Sequence, residues 1–530
     1  MLKNLVFIVK AKQDFIRYSG DEKKKNAPLL NSLFESISEI YIPLLNMFEV
    51  LEKDNIPCKI GLVLPPLLCT LLEEPEVQDM YLEYLEKQIQ LGAAELQRCS
   101  DNTNIVENIH GIIRNIEQLK TDFVEKYNKN LIKAFSDNMK KGYIELLATC
   151  GTDIFLPHFA DMKEIISAQI ETGLHAYKQV FGEIPDGFWL PELGYRPGLE
   201  KIIKSYGFTY TILDSRSVLL SDNIPENGIF YPVRTENFLV LFANDPSVET
   251  DLYSEDGIVN SMYYRSENRD IGFELPMENL NNFLDEKGIR YSTGFKYWNR
   301  CFNNEKNSYY SESLAKEQAM QDAKLFVKRR LEKLNKAAEL TSSSDFVTLV
   351  CTFDAKRLKD NWHEAIYWIE CVFRVAKAES VNMATCDEMI SRQYQLEKHQ
   401  PCYAAAAGSG YGENLLSNKN NWMMRYVRKA SERMVDLADR FPNDTGLKTR
   451  LLNLGAKQLM LAQSLNIAKN IDEDEYPTFA EERFLNCIEN FTSVFDSLGS
   501  NVVSTEWLTT LESKDNFYPW MNYRIFSKKK

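Results

Sequence analysis

The chain has 530 residues, 44% of them hydrophobic and 26% charged, so it can bury a large core without covalent staples and is not a disordered polymer. Its formal charge of −14 repels phosphate backbones and argues against nucleic acid as a partner. The longest apolar stretch, residues 60–72, contains Pro65-Pro66 and falls short of the ~20 residues that span a bilayer, and ten cysteines without a CxxC pair suit a reduced, cytoplasmic chain that meets no membrane.

The first element is a β-branched run at residues 5–9, too short for the apolar core of a signal peptide and followed at once by Lys10 and Lys12. Residues 59–63, 187–190, 209–213, 239–242 and 346–353 also read as strands. Helical patterns separate them, for example at 162–181 and 314–340. Strands alternating with helices predict an α/β fold with mainly parallel strands and crossover helices, and a barrel is the closed form that suits this length. Near residue 400 the pattern changes. Ala404 to Gly410 is a small-residue loop, and strand signals fade after it. Phe484, Ile488, Phe491, Phe495 and Leu498 form a one-sided helical stripe, as do Met423, Val427, Ala430, Met434 and Ala438. Residues 401–530 are therefore expected to form a helical domain packed on the barrel of 1–400.

Two strands end on acids. In Gly187-Phe188-Trp189-Leu190-Pro191-Glu192 the proline cannot donate to a sheet ladder, so it marks the strand's end, and Glu192 follows. The apolar run from Phe346 to Phe353 ends on Asp354. In α/β barrels the C-terminal strand ends form the active face. Paired carboxylates there suit glycoside chemistry, one attacking the anomeric carbon and the other moving protons. The same placement also suits helix caps and loop formers. Trp189 and Trp362, close to the two acids in sequence, could stack on sugars or fill the core. Arg269-Asp270 could hold hydroxyls or close a loop. The five histidines form no HxH or HExxH pair, which argues against a zinc site. No GxSxG elbow, P-loop or strand-linked GxGxxG is present.

At these residues the chain resembles the glycoside hydrolases of family 57, in particular the branching-enzyme-like group with a helical C-terminal domain. The segment from Gly187 through Glu192 to Glu200 is similar to the motif that carries the family's nucleophile, and Thr352-Phe353-Asp354 to the motif that carries its acid/base. Arg269 to Gly272, Thr293-Gly294-Phe295-Lys296-Tyr297, Arg425 to Val435, Leu461 to Ser464 and Tyr523-Arg524 fit further motifs in order. The resemblance implies a distorted (β/α)7 barrel with a small insertion at about 200–245, a C-terminal all-helical domain, and neither metal nor other cofactor. It implies a 1,4-alpha-glucan branching activity on glycogen-type polymer by retaining double displacement, with Glu192 and Asp354 catalytic and Trp189, Arg269, Gly294, Trp362 and Asn466 binding substrate.

The chain also departs from that pattern. Where the family has His-any-His, Lys10-Ala11-Lys12 stands here; its Thr-His becomes Thr152-Asp153; beyond the acid/base stand Lys356 and Asp360-Asn361; a motif tryptophan falls near Ala407; and an Asp-Trp pair becomes Asn466-Ile467. Two lysines bring positive charge toward both carboxylates and weaken proton donation there. Lys10, Lys12, Asp153 and Asp360 are expected to cluster near Asp354, each lysine with a carboxylate partner, because buried charge is tolerated only when paired. The alternative to an active enzyme is a catalytically impaired descendant that binds glucan or a protein partner.

Overall fold

The computed structural model describes residues 1–280, 283, 289–301, 309–341, 345–390 and 395–529. Its centre is a nine-stranded sheet: β1 (Leu2–Lys10), β2 (Ile60–Val63), β3 (Ile144–Ala148), β4 (Gly187–Trp189), β5 (Tyr210–Leu213), β6 (Val233–Arg234), β7 (Val240–Ala243), β8 (Phe346–Asp354) and β9 (Asn382–Ala384). The spatial order is β6-β7-β5-β4-β3-β2-β1-β8, with β9 also on β1. All pairings are parallel except β6 with β7. An isolated parallel bridge joins Asn244, just past β7, to Val350 in β8, and the Asp245 N–H donates to the Val350 carbonyl at 2.7 Å.

The strands are apolar on both faces, as sheets covered on both sides require. Alternate residues divide between two clusters. Val6 and Ile8 of β1 join Val63, Leu147, Trp189, Tyr210, Ile212, Val240, Phe242 and Val350 in an inner cluster drawn from seven strands. Leu5, Phe7 and Val9 face the helices instead. Phe7 packs against Phe326 and Trp368, with ring centroids 6.0 and 6.5 Å away, which seats the helices Glu312–Leu340 and Ala365–Ala378 over β1 and β8.

All six expected strands are present. Ile144–Ala148 was not foreseen. Its Leu-Leu-Ala composition and half-buried Glu145 carry no strand signature, and sheet neighbours on both sides override that weak propensity. The span 200–245 supplies β5, β6 and β7 to the sheet. The reason lies in residues 210–213 and 240–243, which are fully buried and pair in register with each other.

Beyond residue 400 the described residues hold helices and no strand element: Trp422–Arg440, Leu447–Ala462, Leu465–Asp472, Pro477–Ser500 and Thr505–Lys514. The stripe from Met423 to Ala438 is buried throughout, and Phe484, Phe491, Val494 and Leu498 are buried on the long helix. Polar ties fasten this region to the sheet edge. Thr152 Oγ1 donates to the Met460 carbonyl at 3.0 Å, and Gln169 Nε2 to Gln463 Oε1 at 2.8 Å. Arg17 forms a two-point pair with Asp515 at 2.7 Å for each contact. Among the described residues no helix is long and apolar enough to cross a membrane.

Candidate active site

The C-terminal ends of β1 and β8 lie side by side, with Lys10 paired in register to Asp354. Period-two alternation sets Lys10 on the same face as Val6 and Ile8, and Asp354 on the same face as Val350. Lys10 Nζ donates to Asp153 Oδ2 at 3.0 Å, and both side chains are about 95% buried. Asp153 is delivered by the turn after β3, where Thr152 N–H donates to Gln169 Oε1 at 2.9 Å and the Asp153 carbonyl accepts from Leu465 N–H at 2.7 Å. Burial works against the Lys10 ammonium, but Asp153, Glu192 and Asp354 outweigh it and push its pKa up.

Lys12, two residues past the end of β1, is half-buried and has no hydrogen bond or ion pair among the described residues. Burial lowers its ammonium pKa, and Lys469 and Lys10 add to that effect against Asp354 and Glu192. The expectation of a carboxylate partner for each lysine thus holds for Lys10 and fails for Lys12, because Asp153 is already engaged by Lys10.

Glu192 stands just past β4 in a tight turn. Pro191 ends the ladder, and Glu192 then adopts a left-handed backbone, φ 52° and ψ 26°, followed by Leu193 at φ 48°. For residues with side chains this conformation costs about 1–2 kcal/mol each. It is held by Leu193 N–H to the Leu190 carbonyl at 2.8 Å and by Ala406 N–H to the Glu192 carbonyl at 2.7 Å. The Glu192 carboxylate accepts from Lys469 Nζ at 2.9 Å, with side-chain exposures of 12% and 17%. Burial would raise the Glu192 pKa, yet Lys469, Lys10 and Lys12 outweigh it and hold the carboxyl at about 2.

Asp354 caps the helix Ala355–Asn361, accepting from Arg357 N–H at 3.0 Å. It interacts electrostatically with Lys10, Lys12 and Lys469, as Glu192 does. Asp360 does not join that group. One turn along the capped helix from Lys356, it pairs with Lys356 at 2.9 Å and with Lys359 at 2.6 Å. These lysines reach on to Glu475 and Glu35, at 2.9 and 3.0 Å.

The remaining sequence candidates are spread out. Trp189 lies in the inner cluster at 4% exposure. Trp362 is 1% exposed, between Tyr264 and Trp368 at 5.3 and 5.1 Å. Arg269 pairs with Glu274 at 2.7 Å and lies over the Trp298 ring. Gly294 has φ +82°, and its N–H donates to the buried Asp270 carboxylate, which also gathers Gly272, Ser292 and Thr293. Asn466 Nδ2 donates to Asp14 Oδ1 at 2.9 Å, and Ser464 Oγ to the same oxygen at 2.7 Å. Ala407 is buried against Phe155 and Leu465. Lys469 escaped the sequence reading. The available signal was its position three residues after Asn466, on the same helix face.

The sequence pattern of glycosyl hydrolase family 57 matches residues 6–395, and that of the 1,4-alpha-glucan branching enzyme C-terminal region matches residues 426–526. The chain is 24% identical over 517 residues to the 1,4-alpha-glucan branching enzyme of Thermococcus kodakarensis, covering 91% of this chain and 73% of that one. Among solved structures, the alpha-amylase AmyC from Thermotoga maritima superposes with a TM-score of 0.89 at 25% identity over 99% of each chain. The branching enzyme from Pyrococcus horikoshii superposes with a TM-score of 0.87 at 19% identity, over 100% of this chain and 98% of that one. A pattern spanning well over half the sequence settles the family: this chain belongs to glycosyl hydrolase family 57, in its branching-enzyme-like group.

Proposed function

We propose that the chain is a retaining α-glucan-active enzyme of branching type, working at the edge where β1, β4 and β8 end. The observation that carries this reading is the shared surroundings of Glu192 and Asp354, each in the field of Lys10, Lys12 and Lys469. We read the sheet with its Asn244–Val350 bridge as a distorted (β/α)7 barrel formed by residues 1–400, with 401–530 as the helical domain. In the first step a Glu192 oxygen bonds to the anomeric carbon. The bond to the departing glucan breaks, and its electron pair stays on the oxygen, which takes a proton from Asp354. In the second step Asp354 removes a proton from an acceptor hydroxyl, which attacks the same carbon and frees Glu192. Retaining geometry asks for carboxylates about 5–5.5 Å apart. An ionised Glu192 suits the nucleophile's role. Its pair with Lys469 has to open for attack, so substrate must displace the ammonium.

That same pair favours a second reading, in which the site is a closed charge network and the chain is a catalytically impaired descendant that binds glucan or a protein partner. Incubation with amylose, followed by iodine spectra and linkage analysis, separates the two. Branching by the wild type that disappears in Glu192→Gln and Asp354→Asn supports the enzyme. A folded wild type inactive on α-glucans overturns it.

A further inference from the structure

The inner face of β1 runs Val6, Ile8 and Lys10, and Lys12 stands two residues past the strand's end, so a hydrophobic row leads to two ammonium groups. Three lysines and three carboxylates meet there: Lys10, Lys12 and Lys469 with Asp153, Glu192 and Asp354. Two of the lysines are taken, Lys10 by Asp153 at 3.0 Å and Lys469 by Glu192 at 2.9 Å. Lys12 has no ion pair among the described residues and is half-buried. When Asp354 carries the proton that it must donate, the count becomes three positive charges against two negative. A half-buried uncompensated cation is costly unless an anion arrives with the substrate.

We propose that the glycosyl unit bound between Glu192 and Asp354 carries an anionic substituent, a carboxylate or a phosphate, which Lys12 receives. This rests on the reading of the site as α-glucan-active and names the substrate class. The substituent is unchanged by the reaction. It makes the sixth charge while Asp354 is protonated, and it offsets the positive charge that develops at the anomeric carbon. The lowered affinity of Lys12 for its own proton fits a cation that lacks its counter-charge. The chain as a whole is at −14 and repels polyanions, so a preference for an anionic polymer would report this local cluster rather than the general surface.

The test uses three polymers with one backbone: amylose, amylose oxidised to the carboxylate at C6, and amylose phosphorylated at C6. Binding and kcat/KM are measured for the wild type, Lys12→Gln and Lys12→Arg. The expected result is a preference of roughly ten- to hundred-fold for one anionic polymer over amylose, the range of a hydrogen bond to a charged group. That preference should be lost in Lys12→Gln and kept in Lys12→Arg, and the polymer that wins identifies the substituent. Amylose bound and turned over as well as both anionic forms would overturn the proposal and leave the α-glucan reading standing. A preference that survives Lys12→Gln would also overturn it. No binding and no turnover with any of the three would remove the α-glucan reading and the proposal together.

Discussion

Lys469 Nζ donates to Glu192 Oε1 at 2.9 Å, tying the helix Leu465–Asp472 to the turn after β4 across 277 residues of chain. Removing the ammonium leaves a carboxylate about 88% buried with its nearest counter-charge gone. Lys469→Ala is therefore expected to lower stability by roughly 1–3 kcal/mol. In Glu192→Gln the same lysine substitution should cost less. A double-mutant cycle by urea denaturation measures the coupling, and equal costs in both backgrounds would show that the pair contributes nothing.

The acid limb of stability carries the same pair. Glu192 titrates near 2 in the folded chain, below its ordinary value of 4.5, because the three lysines outweigh burial. A depressed carboxyl contributes stability that is fully present above its unfolded value and is lost as pH falls through its folded value. The window therefore runs from about pH 4.5 down to about pH 2, and the contribution is at most about 3 kcal/mol. The stability gap between wild type and Glu192→Gln should shrink across this window. Urea midpoints at pH 5, 4 and 3 read it, and a constant gap contradicts the assignment.

Glu145 behaves in the opposite sense. Burial first and Asp387 second raise its pKa to about 8, although Tyr210 O–H and the N–H groups of Cys386 and Asp387 partly oppose them. The folded chain therefore binds more protons than the unfolded chain between about pH 4.5 and pH 8. From this group stability falls as pH rises through that window. Glu145→Gln should flatten the decline and raise Tm relative to wild type at pH 9. A melting series from pH 5 to 9 checks it, and parallel curves would show that Glu145 ionises normally.

Trp189 and Trp362 were candidates for sugar stacking from sequence, and both are buried among other apolar side chains. Truncating a buried tryptophan to alanine costs about 3–5 kcal/mol. Trp362→Ala should lower the urea midpoint by a matching amount. A midpoint unchanged from wild type, with glucan binding lost, would return Trp362 to the substrate groove.

What was legible in the sequence had a local cause. Apolar β-branched runs that stop on Pro191-Glu192 and on Asp354 announce strand ends carrying acids, and Lys10 and Lys12 follow directly on the first such run. What was not legible depends on contacts distant in the chain. β3 is a strand only because β2 and β4 flank it. Asp360 was assigned to the site by the motif position it occupies beyond the acid/base, but a helical turn joins it to Lys356 and Lys359. Lys469 comes from a helix with no local mark of the partner it meets.

The charge cluster is assembled from widely separated stretches of chain: Lys10 and Lys12, Asp153, Glu192, Asp354 and lastly Lys469. A ribosome delivers those stretches in that order, and domains fold as they emerge. Until residue 469 emerges, the Glu192 carboxylate lacks the ammonium that holds it in the folded chain. The cluster becomes neutral only when the helix that bears Lys469 docks, so the sheet without its helical cover would hold one more carboxylate than ammonium groups at this place.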